Sequence, residues 1–253
     1  IGFGEGLVQA GEKDNNVVAL CADLTESIQM QDFKNKFGNR FIEVGVAEQN
    51  LVTVASGMAR AGKIPFAASY ASFSPGRNWE QIRTTICLNN MPVRLVGSHA
   101  GVTVGPDGAT HQMLEDIAMM RALPNMIVLA PGDAIEAKKA TIAMANLNKP
   151  SYVRLCRDKT AIFSTNESPF EIGKAYVLRS GTDATLFGTG IMTVELLSAA
   201  KILDSNGINV EVVHIPTIKP LDEKTILSSI EKTGQAITAE EAQIAGGLGG
   251  AIA

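Results

Sequence analysis

Short runs of Val, Ile, Leu and Ala alternate along the chain with longer stretches in which apolar residues recur at three- and four-residue spacing. Runs that are apolar at nearly every position belong to strands covered on both faces, and the longer stretches belong to the helices that cover them. The pattern predicts strands over 17–22, 41–44, 64–68, 93–98, 126–130 and 152–155, with helices over 47–59, 79–88, 113–123 and 133–146. Asp133 stands where an N-cap would. Strand–helix alternation of this kind implies an α/β architecture of three-layer α/β/α domains with mostly parallel sheets. The opening IGFGEGL reads as the interior of a helix, without a start methionine or a cap, so upstream residues are expected.

From residue 158 the periodicity lapses into the polar stretch DKTAIFSTNESPFEIG, read as a linker. A second unit resumes after it, with strands over 184–187, 209–214 and 236–239 and helices over 193–205 and 222–232. The expected division is a larger domain at 1–160, a linker at 161–173 and a smaller domain at 174–253, whose AGGLGGAIA tail opens a further helix that is cut off.

Composition adds exclusions. The chain has 253 residues, 45% of them hydrophobic, enough for a substantial core, and a net charge of −4 with no basic stripe. Nucleic acid and membrane surfaces are therefore not expected partners. No apolar stretch is long enough to span a bilayer, and the first residues lack the basic region and apolar run expected of a signal peptide. Cys21, Cys87 and Cys156 are odd in number, far apart and set in apolar runs, which fits buried thiols in a reducing, cytoplasmic compartment.

In parallel α/β sheets ligands sit beyond the carboxyl ends of the strands, so the segments ADLTES, VGVAEQN and GSHAGVTVGPDGATHQ hold the candidate chemistry. On a helix, Glu48 shares its face with Leu51, Val52 and Ala55. It is either a helix-start glutamate favoured by the dipole or a carboxylate facing a cofactor or a second subunit. His99 and His111, with Asp107 and four glycines nearby, lack metal-ligand spacing and read as ordinary loop residues or as recognition of a hydroxylated substrate. His214 lies in an apolar strand and reads as structural.

ADLTES, FIEVGVAEQN, GPDGATHQ, LPNMIVLAPGDAIEA and VRLCR, in that order, resemble the carboxyl-terminal two-thirds of transketolases across nearly the whole chain. The resemblance implies a pyrimidine-binding domain followed by the family's C-terminal domain, and transfer of a two-carbon ketol unit from a ketose phosphate to an aldose phosphate with thiamine diphosphate. It implies that Glu48 hydrogen-bonds the aminopyrimidine and activates the cofactor, with Phe73 packing on that ring and Tyr70 lining its pocket. His99 and His111 would contact the donor's hydroxyls and carbonyl oxygen, Asp107 an acceptor hydroxyl, and Ser27 and Arg157 the sugar phosphate, while Asp23 would support the cofactor site across a subunit boundary. No Gly-Asp-Gly loop followed by Asn is present, so the Mg2+ ligands and diphosphate site are expected on another subunit. The chain then resembles either the smaller subunit of a split enzyme, assembled as two copies of each subunit, or a piece of a longer one. A 1-deoxyxylulose-5-phosphate synthase, the beta subunit of a 2-oxo acid dehydrogenase and a non-catalytic subunit remain the alternatives. The sequence Ser98-His99-Ala100-Gly101, where the synthases usually have Asp-Arg-Ala-Gly, separates the chain from the first of them.

Overall fold

The computed structural model describes residues 1–253. In chain order the elements of the first unit are α1 (Gly2–Lys13), β1 (Val17–Cys21), α2 (Gln31–Lys36), β2 (Phe41–Glu43), α3 (Glu48–Arg60), β3 (Ile64–Tyr70), α4 (Trp79–Gln81), β4 (Arg94–Ser98), α5 (Asp116–Arg121), β5 (Ile127–Leu129), α6 (Ala134–Ala145) and β6 (Ser151–Arg154). The second unit contains β7 (Tyr176–Arg179), β8 (Ala184–Gly188), α7 (Met192–Ser205), β9 (Val210–His214), β10 (Thr217–Lys219), α8 (Glu223–Thr233), β11 (Ala236–Ala239) and α9 (Gly249–Ile252).

The seven-stranded sheet runs β10-β5-β6-β4-β3-β1-β2 and is parallel except for β10. Strand alternation divides its side chains between two cores. Val18 and Leu20 of β1 join Leu51, Val52 and Ala55 of α3 on one face, while Val17, Ala19 and Cys21 join Phe3 and Leu7 of α1 and Met144 of α6 on the other. Every residue of β1 and β4 is buried, which explains why β1 reads as a continuous rather than alternating apolar run, while Arg94 of β4 is accommodated by bonds to the Met144 and Ala145 carbonyls. The four-stranded sheet, β11-β8-β9-β7, repeats the arrangement at smaller scale, with α7 against Leu186 and Val212 and α8 against Phe187 and Val213. Both units are thus α/β domains with mostly parallel sheets, as the periodicity implies.

Several expected elements are altered by specific competitors for backbone carbonyls. The helix expected over 79–88 is α-helical only at α4 and continues as a π-helix over Ile82–Cys87. There Ser56 donates to the Thr85 carbonyl at 2.8 Å and Asn89 donates to the Thr84 carbonyl at 2.9 Å. The helix expected over 113–123 begins at Asp116, because the Met113 carbonyl accepts from Gly101 and the Leu114 carbonyl accepts from Gln243. The polar stretch after 158 carries no regular element, yet Phe163 and Ser164 are fixed to the N-cap Asp133. Strand β10 follows the linker in sequence but pairs antiparallel with β5, so the second unit completes the edge of the first sheet. Cys21 and Cys87 are buried thiols, whereas Cys156 is only partly covered and lines a cavity. No helix is long and apolar enough to cross a membrane.

Candidate functional site

Because β1, β2, β3, β4 and β6 are parallel, their carboxyl ends lie along one edge of the sheet, and the segments leaving those ends carry the candidate residues. Ser27 follows β1, Glu48 follows β2, Tyr70 ends β3 with Phe73 just beyond, His99 follows β4, and Arg157 follows β6.

Glu48 opens α3 and is 2% exposed. Its Oε2 accepts a hydrogen bond from Arg77 Nη1 at 2.8 Å, and its backbone carbonyl accepts from Asn78 Nδ2 at 2.7 Å. Arg77 itself is 49% exposed, so one partner of the pair is dry and the other wet. The Arg77 guanidinium lies over the Phe73 ring, 4.6 Å from its centroid. Phe73 meets His111 edge-on with centroids 5.4 Å apart, and Tyr70 stacks on His99 with centroids 3.9 Å apart. Ser27 Oγ hydrogen-bonds Tyr70 Oη and lies 3.5 Å from His99 Nε2. Glu48, Phe73, Tyr70, His99, His111 and Ser27 therefore form one connected cluster, with Arg77 as the link that the sequence reading missed. A buried carboxylate that demands a cation was the available signal for Arg77.

The loop carrying the histidines is tightly held. His99 has a left-handed backbone, φ 58°, and its Nδ1 is 2.8 Å from Ser98 Oγ. Burial pushes the His99 pKa below that of an ordinary histidine; among the nearby charges Asp107 and Asp158 oppose the shift, and Arg157 and His111 add to it. His111 Nδ1 is 2.9 Å from Thr110 Oγ1, and its carbonyl accepts from Ser72 Oγ at 2.6 Å. Asp107, midway along the loop, is exposed.

Beside the cluster is a cavity of about 480 Å³ whose lining includes Ser27, His99, Cys156, Arg157 and Lys159. Arg157 Nη1 donates to the Val104 carbonyl at 3.1 Å, which leaves the rest of its guanidinium fork for an anion. Asp23 is not brought into the ring cluster. It is exposed with φ 60°, and its N–H donates to Glu43 Oε1 at 2.7 Å. Glu43, also missed from sequence, accepts from Gly45 N–H at 3.1 Å and from Thr25 Oγ1 at 3.2 Å, and so shapes the turn that leads into Glu48.

The geometry combines a dry carboxylate, aromatic faces, two imidazoles and a cavity with cationic side chains on its wall. A planar heteroaromatic ring with hydrogen-bonding edges fits the first two, because Phe73 and Tyr70 supply faces and Glu48 Oε1 has no hydrogen-bond partner within the chain. A polyhydroxylated anionic substrate fits the others.

The transketolase pyrimidine-binding domain model matches residues 2–161 and the transketolase C-terminal domain model matches residues 173–253. A Methanocaldococcus jannaschii protein named as a transketolase C-terminal section is 46% identical over 254 residues, covering 100% of this chain and 79% of that one. The 6-deoxy-6-sulfo-D-fructose transketolase subunit of a Clostridium species is 39% identical over 247 residues, covering 98% of this chain and 77% of that one. A solved split-gene transketolase, described as an inactive β4 tetramer, superposes with a TM-score of 0.92 at 40% identity over 99% of this chain and 82% of its own. The chain belongs to the transketolase family, in which it carries the pyrimidine-binding domain followed by the C-terminal domain and is homologous to the C-terminal section of split-gene transketolases.

Proposed function

We propose that the chain is one subunit of a split transketolase that moves a two-carbon ketol unit from a ketose phosphate to an aldose phosphate. It acts with a separate diphosphate-binding subunit, two copies of each, and the Mg2+ ligands belong to that partner. The observation that carries this reading is the buried Glu48 carboxylate, linked through Arg77 and Phe73 to the Tyr70, His99, His111 and Ser27 cluster at the mouth of the Arg157 cavity.

When bound, thiamine diphosphate supplies the electron sink that lets a carbon–carbon bond beside a carbonyl break and form. Glu48 would hold the edge of the pyrimidine ring with the oxygen that Arg77 does not occupy. Phe73 would pack on the ring face with Tyr70, which stacks on His99, lining the pocket, and Asp23 would support the cofactor site from the subunit boundary. His99, kept neutral near pH 7 by burial, offers one donor and one acceptor to the ketose hydroxyls and carbonyl oxygen, and His111, edge-on to Phe73, presents a second imidazole to the same groups. Asp107 accepts from an acceptor-sugar hydroxyl. Ser27 and Arg157 hold the terminal anion, for which a planar guanidinium fork is suited whether the group is phosphate or sulfonate.

The test is ketol transfer from xylulose 5-phosphate to ribose 5-phosphate by the chain assembled with its diphosphate-binding subunit, thiamine diphosphate and Mg2+. Sedoheptulose 7-phosphate is the expected product. 6-Deoxy-6-sulfofructose is assayed as a second donor because a relative bears that name. Condensation of pyruvate with glyceraldehyde 3-phosphate, in place of ketol transfer, would overturn the reading in favour of the synthase.

A further inference from the structure

The loop from His99 to Met113 is held from outside its own domain. It is closed on itself by the bridge between Gly101 and Met113, in which Gly101 N–H donates to the Met113 carbonyl at 2.8 Å. It is then gripped by Glu241, a residue of the second unit that lies beyond β11. Glu241 Oε1 accepts from Thr103 N–H at 2.7 Å, although the two residues are 138 positions apart. The contact is close enough to require glycine at position 101: its φ is +87°, and a Cβ there would lie 2.2 Å from the Glu241 carboxyl carbon.

Glu241 is itself fixed. Its side chain is 6% exposed, and its Oε2 lies 3.7 Å from Arg154 Nη1. Arg154 Nη2 donates to the Glu241 carbonyl at 2.5 Å, while Arg154 Nε is bound to both oxygens of the fully buried Asp116. Next along the chain but one, Gln243 N–H donates to the Leu114 carbonyl at 2.9 Å, just past the loop. The anchor is therefore held on its own side through its backbone carbonyl, with the Arg154 charge facing an Oε2 that has no hydrogen bond, and makes a charge-assisted bond on the other. Glu241 hydrogen-bonds neither histidine; its contact with the loop is to the backbone N–H of Thr103.

We infer that Glu241 is a positioning residue for substrate recognition: through Thr103 it sets the loop that carries His99, Asp107 and His111, so that the C-terminal domain completes the site of the pyrimidine-binding domain. This rests on the ketol-transfer reading for its kinetic consequence, but not for its structural one. A misplacement of about 1 Å in recognition groups costs on the order of 100-fold in rate. Glu241→Ala should lower kcat/KM for the ketose donor by that order in the assembled enzyme, while the affinity for thiamine diphosphate stays within about twofold because the Glu48–Arg77 and Arg77–Phe73 contacts are made outside the loop, which meets Phe73 only edge-on through His111. Glu241→Gln keeps an acceptor oxygen for Thr103 and should stay within about threefold of wild type.

Two measurements decide it. Hydrogen exchange on the full chain reads the loop directly: the amide of Thr103 should exchange on the order of tenfold faster in Glu241→Ala and near the wild-type rate in Glu241→Gln. Kinetics and cofactor titration of the assembly read the split between substrate use and cofactor binding. Unchanged exchange and unchanged kcat/KM in Glu241→Ala would overturn the inference. So would a Gln variant as impaired as Ala, or losses in cofactor affinity and thermal stability that match the loss in kcat/KM. If the wild-type assembly transfers no ketol unit, the proposed activity fails, and the exchange result alone decides the anchoring.

Discussion

Replacing Asp133 with alanine should destabilise the chain by about 3 kcal/mol, because one carboxylate holds four donors from two segments. Oδ1 accepts from Glu136 N–H at 2.9 Å as the N-cap of α6 and from Ser164 Oγ at 2.8 Å, while Oδ2 accepts from Phe163 N–H at 3.0 Å and Ser164 N–H at 2.8 Å. The cap alone is worth about 1 kcal/mol. Each remaining bond to a charged acceptor is worth about 1.5–3 kcal/mol singly, but the three share one acceptor and one segment, so they do not add. At about 2–4 °C per kcal/mol for a chain of this size, the expected loss is about 6–12 °C in Tm.

The effect carries a pH signature. Burial raises the Asp133 pKa, but the bonds from Glu136, Ser164 and Phe163 outweigh it and leave the value below the ordinary 3.8. A depressed carboxylate contributes stability that is complete above its unfolded value and lost as pH falls through its folded one. The gap between wild type and Asp133→Ala should therefore be constant from pH 7 to about pH 5 and shrink below about pH 4. Thermal melts followed by circular dichroism across that range measure it. A Tm within about 1 °C of wild type at pH 7, or a gap that persists unchanged to pH 3, would refute the reasoning.

Two further outcomes follow from burial. His99 should titrate below 6.5 by NMR; because the folded value is lowered, the unfolded chain takes up the proton first, and this residue's contribution weakens stability as pH falls from about 6.5 through the folded value. Gly97→Ala should cost at least about 1–3 kcal/mol in denaturant melts, since the added Cβ would lie 2.1 Å from Tyr152 Oη in a fully buried strand, and full stability would contradict the packing described.

What could be read from sequence was local or periodic. The apolar face of α3 was legible because Leu51, Val52 and Ala55 repeat at helical spacing from Glu48, and burial of all four follows from it. Asp133 was legible as a cap, but its hold on Phe163 and Ser164 was not, because nothing in a polar stretch of low periodicity states which backbone amides it will present. Strand β10, of three residues, is too short to show a period, and its pairing with β5 is a long-range event. Arg77 and Glu241 were hidden for the same reason: one lies 29 residues from its carboxylate and the other 138 from its amide. Motif resemblance pointed to His99, Asp107 and His111 as candidates, but Glu241, which bonds the Thr103 amide of their loop, lies in the other domain and carried no such signal.

The most direct test of the central claim is ketol transfer by the assembled enzyme with wild-type chain and with Glu48→Gln, alongside thiamine diphosphate binding to both. A group that handles a proton in the reaction is worth on the order of 100- to 10,000-fold. Sedoheptulose 7-phosphate is expected from the wild-type assembly and a loss of that order in the variant, with cofactor still bound. Equal turnover by the two assemblies would contradict that claim.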